Sequence, residues 1–368
     1  MKSPLLAALA LIASAALAAR AQDSKSNGPV FTFAVSGDSR NCGDVVMPAI
    51  AKGVQGAHAA FYWHLGDFRA MYMIDEDIVD QFQTQKKTLP ALADYYNGVA
   101  WPDFVKNQLD PFSSIPIYLT PGNHETMYPT IKYPDPTPQA GVQIKAPGEY
   151  MRLFKGYRPQ NTPDFGYPYY SWTEDDRKVQ FIAMDNSVGN DFDAAQIEWF
   201  DKILDANVKN PAVTTIVVGM HEALPGSISG DHSMNQAKDQ ANGAHVYERL
   251  LDAQNKYQKH VYTLASHSHY YMAGIFNTLP PEERIPGWII GGAGAVRYPQ
   301  PAESGKADEA KFNDYGYAVA NVQSDGSIVF KFTELQKGDL KSAAGDRFSD
   351  NLIDFCFDKN IQAKKPVP

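Results

Sequence analysis

The chain has 368 residues, 44% of them hydrophobic and 20% charged, which is the composition of a folded protein and not of a disordered or fibrous one. A chain of this length buries enough apolar surface to fold without a disulfide framework, and its two cysteines cannot form a cysteine-rich zinc module. Its formal net charge of −9 argues against a protein that binds long nucleic acid through a basic surface.

Residues 1–21 have the pattern of a secretory signal peptide. Lys2 gives a positive start, the run LLAALALIASAALAA is apolar, and ARA at residues 19–21 offers a cleavage site. Because the apolar run is shorter than the ~20 residues that span a bilayer, a membrane anchor is the weaker interpretation. We therefore predict a periplasmic or secreted protein with no integral membrane segment in the mature chain, and a flexible lead-in at residues 22–29.

From residue 30 onward, short apolar runs alternate with helical stretches. Gly, Pro or Asp bound the runs, which indicates buried strands at Val30–Val35, Ala59–His64, Ile115–Leu119, Lys178–Met184 and Thr214–Val218. Helices are predicted at Asp44–Val54, Asp75–Thr88, Asp193–Asn207 and Ala244–Tyr257. Later strands are predicted at Val261–Leu264, Tyr270–Phe276, Gly287–Ile290, Tyr315–Val322 and Ser327–Phe332.

This order of elements predicts the fold class and the domain organisation. A pattern that begins βαβ and ends rich in strands indicates an α/β (α+β) sandwich of two mixed sheets with outer helices. We predict one domain over residues 30–335 and a C-terminal extension, residues 336–368, that packs on it. Functional covers or insertions are expected at the long irregular stretches Tyr128–Lys145, Pro225–Asn242, Asn277–Pro286 and Pro299–Asn313.

Side chains that can bind metals follow the predicted strands. The motifs are SGDSR, HLGDF, PGNHE, GMHE and SHSHY, and the candidate residues in them are Asp38, Asp67, Asn123, His124, His221, His267 and His269. The carboxyl ends of strands are the edge at which open α/β sheets bind their ligands. Oxygen and imidazole ligands without thiolate suit Mn, Fe or Zn. One such motif alone is weak evidence, but the ordered set indicates a metal centre.

The ordered set resembles that of the calcineurin-like metallophosphoesterase superfamily, whose motifs are D-x-H, G-D-x-x-(D/R), G-N-H-(D/E), a single His and G-H-x-H. The resemblance extends from Phe31 to about Met272. The sequence DAAQIEWFDKIL at residues 193–204 is also similar to a helix found in many members. The resemblance implies a four-layer αββα sandwich, two divalent metal ions and hydrolysis of phosphoesters.

The resemblance also implies roles for individual residues. The metal ligands would be Asp38 and His269 for the first ion, Asn123, His221 and His267 for the second, and Asp67 as the bridge between them. His124 would be a general acid or would stabilise a phosphate oxygen, and Glu125 would orient it. The chemistry fits these residue types, because a carboxylate can bridge two cations and an imidazole can exchange protons near neutral pH.

Arg40 is the main departure from the family pattern, since it stands where the first motif has a His. Arginine stays protonated and is no metal ligand, so the centre would hold either two ions or only one firmly. Purple acid phosphatases also lack this His and use a Tyr in G-D-x-x-Y instead. The matching residue here is Ala70, and by this analogy Tyr72 is a candidate replacement ligand. A milder change is Ser266, which stands where Gly is usual in the last motif.

Arg40 and Arg69 each follow a candidate ligand closely in the sequence. Two hypotheses account for them. One is a bidentate clamp on a phosphate, which suits the planar guanidinium, and the other is a structural ion pair with a nearby carboxylate. Arg40 is the better candidate for the clamp.

Other residues receive structural interpretations. Cys42 and Cys356 either form a disulfide, which an oxidising compartment permits, or remain two buried free thiols. His64 either supports the side chains of the candidate site or, as the favoured interpretation, packs in the core. The sequence GGAG at residues 291–294 is predicted to form a tight turn near the site. The aromatic residues at 165–172 are predicted to pack in the core. Surface or helix positions are predicted for His58, His232, His245 and His260.

The sequence therefore predicts an exported enzyme that hydrolyses small phosphate mono- or diesters, with metal-activated water attacking phosphorus directly. The alternative is a degenerate, non-catalytic protein that binds a phosphorylated ligand or a cell-envelope partner, which Arg40 keeps open. A third candidate, a nuclease or cyclic-nucleotide phosphodiesterase, is disfavoured for long nucleic acid by the acidic net charge.

Overall fold

The computed structural model describes residues 29–84, 92–126, 147–160, 162, 166–174, 178–229, 232–236 and 240–362. The predicted signal peptide, the lead-in up to residue 28 and the proline-rich stretch Tyr128–Lys145 lie outside the described residues. None of the helices in these ranges combines the length and the apolar character that crossing a lipid bilayer requires.

The described part of the chain alternates between strands and helices. The strands are β1 (Phe31–Ser36), β2 (Tyr62–His64), β3 (Ile117–Leu119), β4 (Tyr170–Glu174), β5 (Val179–Ala183), β6 (Thr215–Gly219), β7 (His260–Ala265), β8 (Tyr271–Ala273), β9 (Gly287–Ile290), β10 (Glu309–Lys311), β11 (Gly316–Val322) and β12 (Ile328–Glu334). The helices are α1 (Gly43–Gly56), α2 (Glu76–Thr84), α3 (Leu92–Phe104), α4 (Pro147–Phe154), α5 (Ala194–Lys209), α6 (Gln240–Asn255), α7 (Lys337–Ala344) and α8 (Asp350–Asp358).

The strands form two mixed sheets. The first has the order β12-β11-β1-β2-β3, and the second has the order β10-β8-β9-β7-β6-β5-β4. Within the first sheet β1, β2 and β3 run parallel, and within the second β5, β6, β7 and β9 do so. Because parallel strands end at the same edge of a sheet, the loops that follow them come together there.

The two sheets pack face to face, and helices cover their outer faces. Along β1, Phe33 belongs to the apolar cluster between the sheets, whereas Ala34 belongs to the cluster beneath α1, α7 and α8. Along β6, Val217 lies between the sheets and Ile216 lies in the cluster beneath α5 and α6. This alternation follows from the two-residue period of a strand, which lets each sheet bury both faces. The fold is the four-layer αββα sandwich predicted from the sequence.

The C-terminal helices α7 and α8 pack against α1. Leu340 and Ile353 belong to the same apolar cluster as the buried face of α1. Cys42, directly before α1, forms a disulfide with Cys356 in α8. Of the two alternatives that the sequence left open, the structure has the disulfide and not the free thiols.

Some elements differ from the sequence predictions. Helix α3 was not predicted, because Gly98 and Pro102 in its interior disfavour a helix. Strand β10 lies in a stretch predicted to be irregular and exists because it pairs with β8. Strand β8 ends before the predicted residue Phe276, because Gly274 turns the chain with a φ of +72°. Helices α4, α7 and α8 were likewise not predicted, and α6 begins inside a stretch predicted to be irregular.

Candidate metal centre

The metal ligands predicted from the sequence meet at the edge where the parallel strands end. They follow five strands in turn, with Asp38 after β1, Asp67 after β2, Asn123 after β3, His221 after β6 and His267 after β7. The side chains of Asp38, Asp67 and His221 are completely shielded from solvent. Two buried carboxylates are therefore held close to buried imidazoles, an arrangement that is costly without a compensating cation.

Two glycines let these loops approach one another. A Cβ atom on Gly37 would lie only 2.6 Å from Cβ of Ser266, which precedes the His267 motif. A Cβ atom on Gly291 would lie 2.2 Å from the carbonyl oxygen of Ser268 and 2.6 Å from Oδ2 of Asp38. The sequence GGAG after β9 is thus a turn packed against the site, as predicted, and it leaves no room for a side chain at its first residue.

Three of the candidate ligands have an unusual backbone conformation. The φ angles of Asp38, Asp67 and His267 are +61°, +62° and +63°, in the left-handed region that residues other than glycine rarely adopt. Such conformations concentrate at functional sites, where the surrounding structure holds them in place. The backbone here turns each side chain inward toward the others.

Four ligand atoms come together where the loops after β2 and β3 meet the loops that carry His221 and His267. Nε2 of His221 lies 3.2 Å from Oδ1 of Asp67, 3.1 Å from Oδ1 of Asn123 and 2.9 Å from Nδ1 of His267. We call Asp67, Asn123, His221 and His267 the amide-side group. Two oxygens and two imidazole nitrogens facing one point fit a divalent transition metal.

The pKa values of the two imidazoles in the amide-side group are shifted in opposite directions. Burial lowers the pKa of His267 well below its usual value, as does the neighbouring His221, so His267 is neutral and able to act as a ligand. Burial would also lower the pKa of His221, but the Asp67 carboxylate outweighs it and raises this pKa to about 10. Metal binding at such a site must displace the proton, since an imidazole binds metals only in its neutral form.

A second group contains Asp38, Asp67 and His269, whose ligand atoms lie within 4.8 Å of one another. We call it the arginine-side group. Three buried oxygens in this group, both of Asp38 and Oδ2 of Asp67, have no hydrogen-bond partner among the described residues. Burial raises the pKa of Asp38. Buried carboxylate oxygens without a hydrogen-bond donor are suited to bind a cation. The residue types of this group are therefore also suitable metal ligands.

Arg40 lies inside the arginine-side group. Its Nη2 is 3.1 Å from Nε2 of His269, and its Nε is 3.6 Å from Oδ2 of Asp67. The side chain is 5% exposed. Its Nη1 donates a hydrogen bond of 3.0 Å to the hydroxyl of Tyr72, the residue that the sequence suggested as a replacement ligand. Tyr72 therefore contacts the arginine, and its ring lies 4.7 Å from that of His124.

Arg69 has a structural role, unlike Arg40. Its guanidinium is completely buried and contacts the carboxylates of Asp44 at 2.7 Å, Asp77 at 3.1 Å and Asp103 at 2.5 Å. These contacts join the loop after β2 to α1, α2 and α3. Of the two hypotheses for Arg69, the structural ion pair is the one that the geometry supports, and the phosphate clamp is wrong for this residue.

His124 points its Nε2 into the site. Its Nδ1 lies 2.5 Å from the carbonyl oxygen of Ala70 and 3.1 Å from that of Arg69, so Nδ1 carries the proton and donates it. Nε2 then faces Oδ2 of Asp67 at 3.4 Å. Burial lowers the pKa of His124 to about 3, and the charge of Arg40 acts in the same direction.

Glu125 does not orient His124, contrary to the role implied by the resemblance. Its carboxylate accepts hydrogen bonds from the backbone N–H groups of Asp67 at 2.8 Å, Phe68 at 2.8 Å and Gly122 at 2.6 Å. It therefore joins the loop after β3 to the loop after β2. The backbone carbonyls of Arg69 and Ala70 orient His124 instead.

An aromatic wall beside the site was missed by the sequence analysis. The ring of Tyr298 stacks on His269 at 3.9 Å and on His232 at 4.7 Å, and the His232 ring lies 5.2 Å from that of His267. No motif surrounds either Tyr298 or His232 in the sequence, so no local signal could have placed them here. His64, in contrast, is the last residue of β2 and is buried against the loop residue Phe68, as predicted for a core histidine.

The sequence model of the calcineurin-like phosphoesterase family matches residues 42–271, more than half of the chain. The chain belongs to this family. It is therefore a metal-dependent phosphoesterase, a hydrolase that acts on phosphoester bonds. No curated protein has a sequence that matches the chain.

Solved structures resemble the fold at low sequence identity. A structure described as PhoD is 13% identical, with a TM-score of 0.52 over 83% of this chain and 69% of that one. A putative 5'-nucleotidase from Staphylococcus aureus, solved in complex with alpha-ketoglutarate, is also 13% identical, with a TM-score of 0.40 over 83% of this chain and 54% of that one. At this identity the first of these structures supports the fold alone, and the second carries no further weight.

Proposed function

We propose that this phosphoesterase is exported and hydrolyses small phosphate mono- or diesters, with water attacking phosphorus directly and no covalent enzyme intermediate. One observation carries the proposal. The other three ligand atoms of the amide-side group lie within hydrogen-bond distance of His221 Nε2, and His124 Nε2 faces the other oxygen of the same Asp67 carboxylate. Asp67 thus belongs to the metal-binding group and also contacts His124, the proposed proton donor.

The chain's own residues prepare the site for an anionic ester. A divalent ion held by the amide-side group would lower the pKa of water and neutralise charge on the phosphoryl oxygens. Asn123 contributes a neutral oxygen, so the ligand set does not add another negative charge against the substrate. Arg40 supplies a fixed positive charge on the other side of Asp67, where a guanidinium can bind phosphate oxygens.

His124 is proposed to move a proton at Nε2. In the structure its proton is on Nδ1, held by the carbonyl oxygen of Ala70, so Nε2 must take up a second proton before it can donate one to the leaving oxygen. Asp67 stabilises the doubly protonated imidazole, because its Oδ2 lies 3.4 Å away. Burial lowers the pKa of His124 to about 3 and so opposes this protonation, which the Asp67 carboxylate and a bound anionic ester would favour.

Export and substrate size rest on other features. The signal-peptide pattern of residues 1–21 supports export, and a disulfide such as Cys42–Cys356 persists in oxidising compartments. The net charge of −9 opposes binding of long polyanions, which favours small esters. Mn, Fe and Zn are the proposed metals, because the ligands are oxygens and imidazoles.

Turnover of p-nitrophenyl phosphate and bis(p-nitrophenyl) phosphate with added Mn²⁺ tests the proposal. We expect activity that a chelator abolishes and Mn²⁺ restores, and its loss in Asp67→Asn, which removes one charge but keeps the shape of the side chain. Asp201→Asn, at a half-buried helix position whose carboxylate pairs with His245 and Arg249, is the matched control. No turnover of either ester with Mn, Fe or Zn would contradict the proposal. Export is tested separately, by cell fractionation that locates the expressed chain.

A further inference from the structure

The guanidinium of Arg40 lies where one of the two groups of candidate ligands converges. We infer that Arg40 takes the part of the first metal ion, so that the chain binds one divalent ion firmly, at the amide-side group, and uses the arginine as its second positive charge. This inference rests on the proposed function, because it assigns the charges within that same site. It departs from the two-ion arrangement that the sequence resemblance implied.

The lone pair of His269 that would bind a metal is already used. Nδ1 of His269 lies 2.6 Å from the carbonyl oxygen of Val296, so it carries the proton and donates it there. Nε2 is therefore unprotonated, and it accepts a hydrogen bond from Nη2 of Arg40 at 3.1 Å. Because one lone pair cannot serve a metal and an N–H at once, Arg40 in this position and an ion at the arginine-side group exclude each other.

Arg40 is held in this position from several sides. Its backbone N–H donates to the carbonyl oxygen of Asp67 at 3.2 Å, and its Nη1 donates to the hydroxyl of Tyr72 at 3.0 Å. The side chain is nearly completely buried, and it is the fixed cation nearest to Oδ2 of Asp67 among the described residues. A guanidinium this enclosed does not move away without leaving a buried carboxylate uncompensated.

The Asp67 carboxylate separates the two cations. Its Oδ1 lies 3.2 Å from Nε2 of His221 in the amide-side group, whereas its Oδ2 lies 3.6 Å from Nε of Arg40. In a two-ion site the same two oxygens would each face a metal. Here one oxygen faces a metal-binding group and the other a permanent cation, so the bridging role of Asp67 is kept with one ion fewer.

The two groups differ in what competes with an ion. In the amide-side group three ligand atoms surround Nε2 of His221, and within the described residues no Lys or Arg donates a hydrogen bond to Asn123, His221 or His267. In the arginine-side group an ion must displace an arginine hydrogen bond and then remain next to its positive charge. The orphaned oxygens of Asp38 keep some affinity for a cation there, so we expect weak loading at high metal concentration and not a firm second site.

Metal content of the full-length mature protein tests the inference. After loading with Mn²⁺ and removal of free metal by gel filtration, we expect about one ion per chain for the wild type and about two for Arg40→His, which replaces the guanidinium by a metal ligand. Arg40→Ala vacates the position without adding a ligand and should also gain a second, weaker ion. Arg347→His, in the C-terminal segment after α7, is the matched control and should retain about one.

Electron paramagnetic resonance of the wild type gives a readout that does not depend on any variant folding. A single Mn²⁺ gives an isolated six-line spectrum, whereas two Mn²⁺ ions bridged by one carboxylate couple magnetically and give a different one. We expect the uncoupled spectrum at one equivalent of Mn²⁺ and no coupled signal at two equivalents. A coupled spectrum in the wild type, or two firmly retained ions, would overturn the inference while leaving the phosphoesterase proposal intact.

The remaining outcomes also decide between the two proposals. If Arg40→His folds, as circular dichroism shows, and still retains only one ion, Arg40 is not the residue that limits loading and the inference is wrong. If the wild type retains one ion but hydrolyses neither test ester, the inference stands and the proposed function fails.

Discussion

The carboxylate of Glu125 accepts a hydrogen bond of 2.8 Å from the backbone N–H of Asp67. Two further backbone N–H groups, of Phe68 and Gly122, donate to the same carboxylate. One buried side chain thereby fixes the loop that carries the shared carboxylate and the loop that carries Asn123. The position of the ligands thus depends on a residue whose oxygens bind backbone N–H groups, including that of Asp67, and not the metal-binding side chains.

Replacing Glu125 by Gln should weaken metal binding. The amide keeps the shape but presents an NH₂ group to backbone donors and removes the charge that attracts them. We expect metal affinity to fall by about 10- to 100-fold, and the free energy of unfolding to fall by about 2 kcal/mol. Metal titration and urea denaturation measure these two effects, and Glu282→Gln at an exposed position is the control. Unchanged metal affinity would show that the loops hold their positions without Glu125.

Replacing His124 by Gln should remove proton transfer but leave the metal in place. Gln cannot exchange a proton, so we expect kcat for a phosphoester with a poor leaving group to fall by about 10²- to 10⁴-fold. The effect should be much smaller for p-nitrophenyl esters, whose leaving group needs no protonation. Retained metal content is the internal control, and His245→Gln on α6 is the matched variant. An equal loss for both classes of ester would argue that His124 stabilises a phosphate oxygen instead.

Replacing Arg69 by Met should make the protein easier to unfold without changing its catalytic constants. The change leaves the carboxylates of Asp44 and Asp77 buried without their cation, which we expect to lower the free energy of unfolding by about 3–5 kcal/mol. Lys202→Met breaks an exposed pair with Glu198 and should leave stability nearly unchanged. Denaturant unfolding compares the two. A stable Arg69→Met protein with a raised KM would revive the phosphate clamp for this residue.

Removing the disulfide should lower stability but not activity at low temperature. The bond closes a loop with a sequence separation of 314 residues, so the double variant Cys42→Ala/Cys356→Ala gains freedom mainly in its unfolded state. We expect a loss of about 2–4 kcal/mol in the free energy of unfolding. Reduction of the wild type should have a similar effect and reduction of the double variant none, which separates the bond from other effects of the reductant.

The sequence specified the layers of the fold and the order of the ligands well, because both depend on local patterns. Apolar runs such as that of β6 identify buried strands, and the residue after each run identifies the ligand. Helix α3 could not be predicted in this way, since its sequence contains Gly98 and Pro102 and its position depends on tertiary packing.

The finer chemistry of the site depends on distances that no local pattern encodes. The sequence shows that Arg40 replaces a histidine, but only the folded chain shows that Arg40 donates to His269. Likewise the motif GNHE suggests that Glu125 serves its neighbour His124, whereas its partners come from the loop after β2. The stacking of Tyr298 on His269 joins residues that lack any shared motif.

The left-handed backbone at Asp38, Asp67 and His267 lowers the stability of the folded chain at the edge that carries the metal ligands. Each such residue costs about 1–3 kcal/mol relative to a relaxed backbone, and glycine would remove most of that cost. A glycine at Asp67 would nevertheless leave Arg40 buried without its carboxylate, and at any of the three positions it would remove a candidate metal ligand and add freedom to the unfolded chain. The strained backbone is therefore stabilised by the charges that it brings together, and an ion that binds only the folded chain adds to that stability. Thermal unfolding should accordingly be compared with and without metal, and we expect the midpoint to rise when metal is present.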